Sequence, residues 1–165
     1  DMSRGTWVDI KTTGLDDLVR EFERLSNPKE CETIFKRVCY EGMNVMADYM
    51  RNQLQSLKTT KQTKANRGEK RYCSEREKAI LLKEMGVTPI KEDSGGYNAK
   101  VGFDGYYVNS RGNEVPVPLL ANSINHGTSF MHYQHFIDRS KRGGQAKTIE
   151  AMREALDREI AERTR

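Results

Sequence analysis

With 165 residues, 36% of them hydrophobic and 32% charged, the chain is long enough for one hydrophobic core without disulfide or metal staples, yet polar for a compact globule. Its net charge of +4 comes from acids and bases interleaved along most of the chain, which argues against a dedicated duplex-DNA binder with a one-sided basic excess. Three cysteines, Cys31, Cys39 and Cys73, make no paired framework and point to a reducing cytoplasm. No run approaches the roughly eighteen apolar residues of a membrane span, and the N-terminus shows no signal-peptide core, so membrane insertion is excluded.

The first element is TWVDIK, where Val8 and Ile10 alternate with Trp7, Asp9 and Lys11 as in a half-buried strand that Gly14 ends. In GLDDLVREFERL, the residues Leu15, Leu18, Val19, Phe22 and Leu25 recur at amphipathic helix spacing, with Asp16 and Asp17 early, where the helix dipole favours acids. NPKE then predicts a helix start, with Asn27 as cap, Pro28 at the first helical position and Glu30 closing a capping box. A long helix follows through Ile34, Val38, Val45, Tyr49 and Leu54 to about Leu57, with Gly42 permitting a close approach. Ser74 and Glu77 form a second capping-box pattern before a short helix through Ile80, Leu81 and Met85, with Gly86 as its stop. VTPIKED and YNAKVGF flank the turn residues Asp93–Gly96 and read as a β-hairpin. Val117, Leu120, Ala121 and Ile124 mark another helix, with Gly127 as its C-cap glycine. Ile149, Met152, Leu156 and Ile160 line one side of a final helix with a densely charged opposite face, a stripe that a partner subunit is expected to cover. The elements define an α+β class: one domain over residues 2–165, a small antiparallel sheet with a long helix packed on it, and flanking N- and C-terminal helices.

Between the long and short helices, KTTKQTKANRGEKR carries Lys58, Lys61, Lys64, Arg67, Lys70 and Arg71 against one acid, Glu69. Its largest aliphatic residue is Ala65, too little to offset the entropy of ordering, so a flexible basic excursion over about 58–73 is expected. Tyr72 beside these cations leaves a nucleic-acid reading of residues 58–72 open alongside a solvated or assembly-ordered loop.

Few residues suggest chemistry. His126, His132 and His135 lie close in sequence but lack the companion cysteines and spacing of a zinc site, and Cys73 reads as a solvated thiol rather than a nucleophile. The acidic pairs Asp16–Asp17 and Glu75–Glu77 belong to first helical turns, and no glycine-rich phosphate cradle is present. No catalytic, cofactor or metal residues are assigned, and the reading is not an enzyme. A hydrolase or metal enzyme centred on the histidines is the rival.

GYNAKVGFDGY followed by PLLANSINHGTSFMHYQHFIDRS resembles the tail-component family of long-tailed bacteriophages, small head–tail joining or tail-completion proteins. The order of parts agrees from Val8 to Arg163, and the most specific residues are Gly127, Thr128 and Ser129, with Gln134 and Phe136 after them. Asn125 stands where many members have Glu, His135 where Pro is usual, and the basic excursion and short helix replace the family's stretch after the long helix. The resemblance implies a structural protein of a phage or prophage neck, assembled in the host cytoplasm, without catalysis or cofactor. It implies a self-associating ring, six-fold by the family's place on the tail tube, contacting head connector and tail proteins and, in the channel, DNA. The stripe Ile149, Met152, Leu156 and Ile160 is then a candidate intersubunit face. Lys58, Lys61, Lys64, Arg67, Lys70 and Arg71 form a candidate assembly or DNA-facing loop.

Overall fold

The computed structural model describes residues 7–11, 15–93 and 96–164. Among these residues, five helices and six strands follow one another in the order β1 (Val8–Lys11), α1 (Asp16–Leu25), α2 (Pro28–Gln55), α3 (Glu75–Glu84), β2 (Met85–Val87), β3 (Lys91–Asp93), β4 (Gly96–Phe103), β5 (Tyr106–Val108), β6 (Glu114–Pro116), α4 (Val117–His126) and α5 (Phe136–Arg163). The α+β class is as expected, with a small antiparallel sheet and a long helix against it.

Strand β4 organises the sheet. β1 pairs along one edge, Val8 opposite Val101, while β2 and β3 share the other, Met85 opposite Phe103 and Lys91 opposite Asn98, all antiparallel. Pro89 lies in the gap between β2 and β3, where a residue without an N–H interrupts no ladder. Thr88 bridges the gap: its N–H donates to the Lys100 carbonyl (2.9 Å) and its hydroxyl accepts from the Lys100 N–H (2.9 Å). Ala99, Val101 and Phe103 are buried, with Val8 beside them on β1. The turn residues Ser94 and Gly95, and the expected strand stop at Gly14, lie outside the described residues. Gly86 is no helix stop; it sits inside β2 opposite Gly102, and α3 ends because Met85 turns to extended backbone.

Helix α2 begins as its sequence dictates, with Asn27 Oδ1 accepting from the Glu30 N–H (2.9 Å) and Pro28 in the first turn. The Glu30 carboxylate does not serve a local box; Arg163 at the far end of the chain engages it. At 28 residues α2 is about 42 Å long. Its last turn holds no basic residue, and Lys78 of α3 supplies the missing cation, donating to the carbonyls of Gln55 (2.7 Å) and Leu57 (3.2 Å). Ser74 and Glu77 form the expected capping box, each side chain bonding the other's backbone N–H (3.1 and 2.8 Å).

The main correction concerns α5. It starts at Phe136, well before the Ile149 stripe, and runs through Gly143 and Gly144. A Cβ on Gly143 would lie 2.0 Å from the Tyr49 hydroxyl, and one on Gly144 2.9 Å from Met46 Sδ. The two glycines therefore let α5 press against α2, a packing gain that offsets their helix propensity cost of about 1 kcal/mol each. The helices run antiparallel: Arg139 meets Gln53, Arg158 pairs with Glu41, and Arg163 with Glu30. Met152 and Leu156 are fully buried, and Ile149 and Ile160 pack half-buried against the same core. The apolar stripe assigned to an intersubunit face is thus covered by α2 and its neighbours within the chain, because α2 is long enough to pair with it along most of its length.

Candidate functional site

The family-like motif and the basic stretch, far apart in sequence, meet at one place. Gln134, nearly buried, accepts from the Lys58 N–H through Oε1 (2.8 Å) and donates through Nε2 to the Lys58 carbonyl (2.9 Å). One amide side chain thereby satisfies both backbone groups of the residue that opens the basic stretch. At its other end, Arg71 N–H donates to the Phe130 carbonyl (3.0 Å) and the Arg71 carbonyl accepts from His132 N–H (2.7 Å), a short parallel bridge across Met131. Thr60 N–H donates to the Cys73 carbonyl (2.9 Å), and Tyr72 N–H to Thr60 Oγ1 (2.9 Å). The stretch is therefore a loop closed at its base and tied to the α4–α5 connection.

The rest of the motif builds that anchor. Gly127 has φ +80°, as the helix stop requires, and a Cβ there would sit 3.0 Å from the Tyr133 backbone nitrogen. Thr128 Oγ1 accepts from Met131 N–H (3.0 Å), and Thr128 N–H donates to the Met131 carbonyl (2.9 Å), which holds residues 130–132 in position for Arg71. Asn125, buried in α4, caps α5 across space: its Oδ1 accepts from Ile137 N–H (2.9 Å) and its Nδ2 donates to Asp138 Oδ2 (3.2 Å). His135, the N-cap residue itself, takes the left-handed conformation at φ 43°. Phe136 is buried with its ring edge-on to Phe103, 5.8 Å between centroids, and Ser129 is exposed.

Two expectations about the loop are corrected. It is not without local structure: beyond the clamped base, Asn66 Oδ1 accepts from Thr63 N–H (2.7 Å) and Asn66 Nδ2 donates to the Lys61 carbonyl (3.0 Å), folding the tip back on itself. Cys73 is not solvated either. It is fully buried beneath the loop base, its thiol donating to the Lys58 carbonyl (3.4 Å), and burial pushes its pKa up to about 11, so it stays a thiol. Tyr72 is also engaged within the chain, with His132 4.7 Å from its ring centroid and Lys58 Nζ at 5.7 Å.

The cations divide into two groups. Arg71 pairs with Glu77 (2.8 Å); burial pushes the Glu77 carboxyl up, but the Arg71 and Ser74 hydrogen bonds outweigh it and hold the group below its usual range. Lys61, Lys64, Arg67 and Lys70 are exposed and form no ion pair among the described residues. Behind them opens a cleft of about 760 Å³ between the loop, α4 and the β5–β6 hairpin, lined in part by Arg71, Arg76, Tyr107, Arg111 and Phe130. Arg76 ties α3 to the hairpin by donating to the Val108 carbonyl. Phe130 at the rim is 67% exposed.

The histidines do not converge. His132 lies on Tyr72, His135 stacks on Tyr133 at 4.4 Å between ring centroids, and no group of three His, Cys, Asp or Glu side chains among the described residues could hold a metal ion. Sequence reasoning missed the hairpin, Arg76 and Arg111, and the Asn125 cap. The hairpin had a legible signal: Tyr106, Tyr107 and Val108 before Asn109–Asn113, where Asn109 Oδ1 accepts from the N–H groups of Arg111 (3.0 Å) and Asn113 (2.9 Å). Searches against family models, curated proteins and solved structures return no match. No helix among the described residues is long and apolar enough to cross a membrane.

Proposed function

We propose that the chain is a structural, non-enzymatic subunit of the head–tail junction of a long-tailed bacteriophage or prophage, a tail-completion or joining protein that forms a ring at the virion neck. The observation that supports this most is the role of the family-like segment. Gly127, Thr128, Gln134 and Phe136 stop α4, turn the chain, clamp Lys58 and start α5. A motif spent on scaffolding suits a protein whose product is an assembly.

A ring needs two different complementary faces on each subunit. With the α5 stripe buried inside the chain, exposed apolar surfaces for this purpose include the outer face of β5, with Tyr106 and Val108, and the cleft rim carrying Leu119 and Phe130, beside the separately exposed Leu25, Tyr40, Val87 and Tyr133. Deleting the gene from the phage or prophage that encodes it should leave filled heads and separate tails, with joining restored by the gene supplied in trans. Normal tailed particles from the deletion strain would sink this reading.

A further inference from the structure

The stretch from 58 to 71 carries six cations and one acid, a net charge of +5, whereas the whole chain is +4, so all other residues together sum to −1. The protein's entire positive excess sits on one loop. In the helical body, by contrast, cations meet acids: Lys36 with Glu32, Arg37 with Glu159, Arg51 with Asp48, Arg158 with Glu41.

Random placement of cations on a floppy tether would give only weak, unoriented attraction to a polyanion. Here the loop is held at both ends, by Gln134 and by the Arg71–Met131 bridge, and folded at its tip by Asn66. Lys61, Lys64, Arg67 and Lys70 are therefore presented from a fixed base and without acidic partners among the described residues. Arg111, exposed at the turn of the β5–β6 hairpin, adds a fifth cation across a cleft whose loop-side wall is formed by Thr60, Gln62, Gly68 and Glu69. Stacking plays little part on the loop, since its neighbouring aromatic, Tyr72, already lies against His132.

We infer that Lys61, Lys64, Arg67, Lys70 and Arg111 form a sequence-independent site for the phosphodiester backbone of duplex DNA. The inference names a partner for the neck subunit proposed above and rests on that reading for its biological setting, but the binding itself can be measured apart from it. Evenly distributed cations without base-reading geometry are what such binding requires, because phosphate contacts position a protein and carry no sequence information.

The test is fluorescence anisotropy of the full chain against a labelled random-sequence duplex. Five phosphate contacts predict a slope of log affinity against log salt near −4.5, and hence a loss of about 500-fold between about 50 and 200 mM salt. Replacing Lys61, Lys64, Arg67 and Lys70 by Ser should bring the slope to about −1, while Arg37→Ser with Arg158→Ser, which removes paired cations, should leave it unchanged. Thermal melting of each variant checks that the fold persists, and the double variant Lys61→Gln with Lys64→Gln should give an intermediate slope. Absence of duplex binding at the lowest salt, or binding indifferent to the four substitutions, overturns the inference. So does a preference for single strands that Phe130→Ala abolishes, or loss of self-association in the quadruple variant when the parent binds no DNA, which would place the loop against another copy. Light scattering reads ring formation separately. Rings without duplex binding overturn this inference alone, and duplex binding with the expected slope but no rings upholds it while removing the ring.

Discussion

The α2–α5 pair and the basic loop use the same residue types to opposite ends. Along the helices, Arg37, Arg158 and Arg163 reach across to Glu159, Glu41 and Glu30, over a seam of Met46, Met50, Met152 and Leu156. The charges there are neutralised in place, and because most are exposed they set register more than they add stability. On the loop, order comes from backbone hydrogen bonds at the base, which leaves the lysines unspent. One region uses charge to finish a fold; the other uses the fold to present charge.

Breaking the seam should have the largest effect. Leu156→Asp places a carboxylate among apolar side chains with no partner and should abolish cooperative unfolding, whereas Leu156→Ala should lower stability by about 2–5 kcal/mol in denaturant titration. A folded Leu156→Asp protein with assembly lost would return the stripe to an intersubunit role.

Next comes the anchor. Gly127→Val forces a β-branched residue to φ +80° and pushes its Cβ toward the Tyr133 backbone, so a loss of at least about 1–3 kcal/mol is expected. Gln134→Ala leaves the Lys58 N–H without its partner and its carbonyl with the weak Cys73 thiol donor alone, and should remove about 1–3 kcal/mol. Limited proteolysis should then cut within 58–71 sooner than in the parent; an unchanged cleavage rate would mean that Gln134 does not hold the loop.

The Arg71–Glu77 contact sharpens the comparison by pH. The Glu77 carboxyl is held below its unfolded range, so the stability it contributes is complete above that range and lost as pH falls through the folded value. Acid titration of melting temperature should show a shallower decline in Glu77→Gln than in the parent. Superimposable profiles would contradict that linkage. The smallest effect is expected from Lys61, Lys64, Arg67 and Lys70 changed together to Ser, within about 0.5 kcal/mol of the parent by denaturation. A large loss would show that the loop's cations contribute to the fold after all.

Local chemistry was legible wherever neighbours in sequence are neighbours in space. Asn27 and Ser74 cap their helices, Gly127 stops α4 with positive φ, and the apolar spacing of α1 and α2 marks their inward faces, with Leu25 of α1 the exposed exception. Those signals rest on one helical turn of contact, which three or four residues specify. What lies over them was not legible. The Ile149–Ile160 stripe looked unpartnered because its partner is a helix more than a hundred positions away, and only the nearness of Tyr49 and Met46 makes glycine the fitting residue at 143 and 144. Likewise the stretch 58–71 is too polar to order itself, and it is ordered by Gln134 and Met131, seventy-six and sixty positions beyond the residues they hold. Sequence by itself determined the helices, the β3–β4 hairpin, the caps at Asn27, Ser74 and Gly127 and the concentration of charge, but not the β5–β6 hairpin or the Asn125 cap of α5. Tertiary structure alone decided which apolar face was already covered and that the charge has a fixed base, since both depend on side chains and backbone groups brought together only when the helices pack.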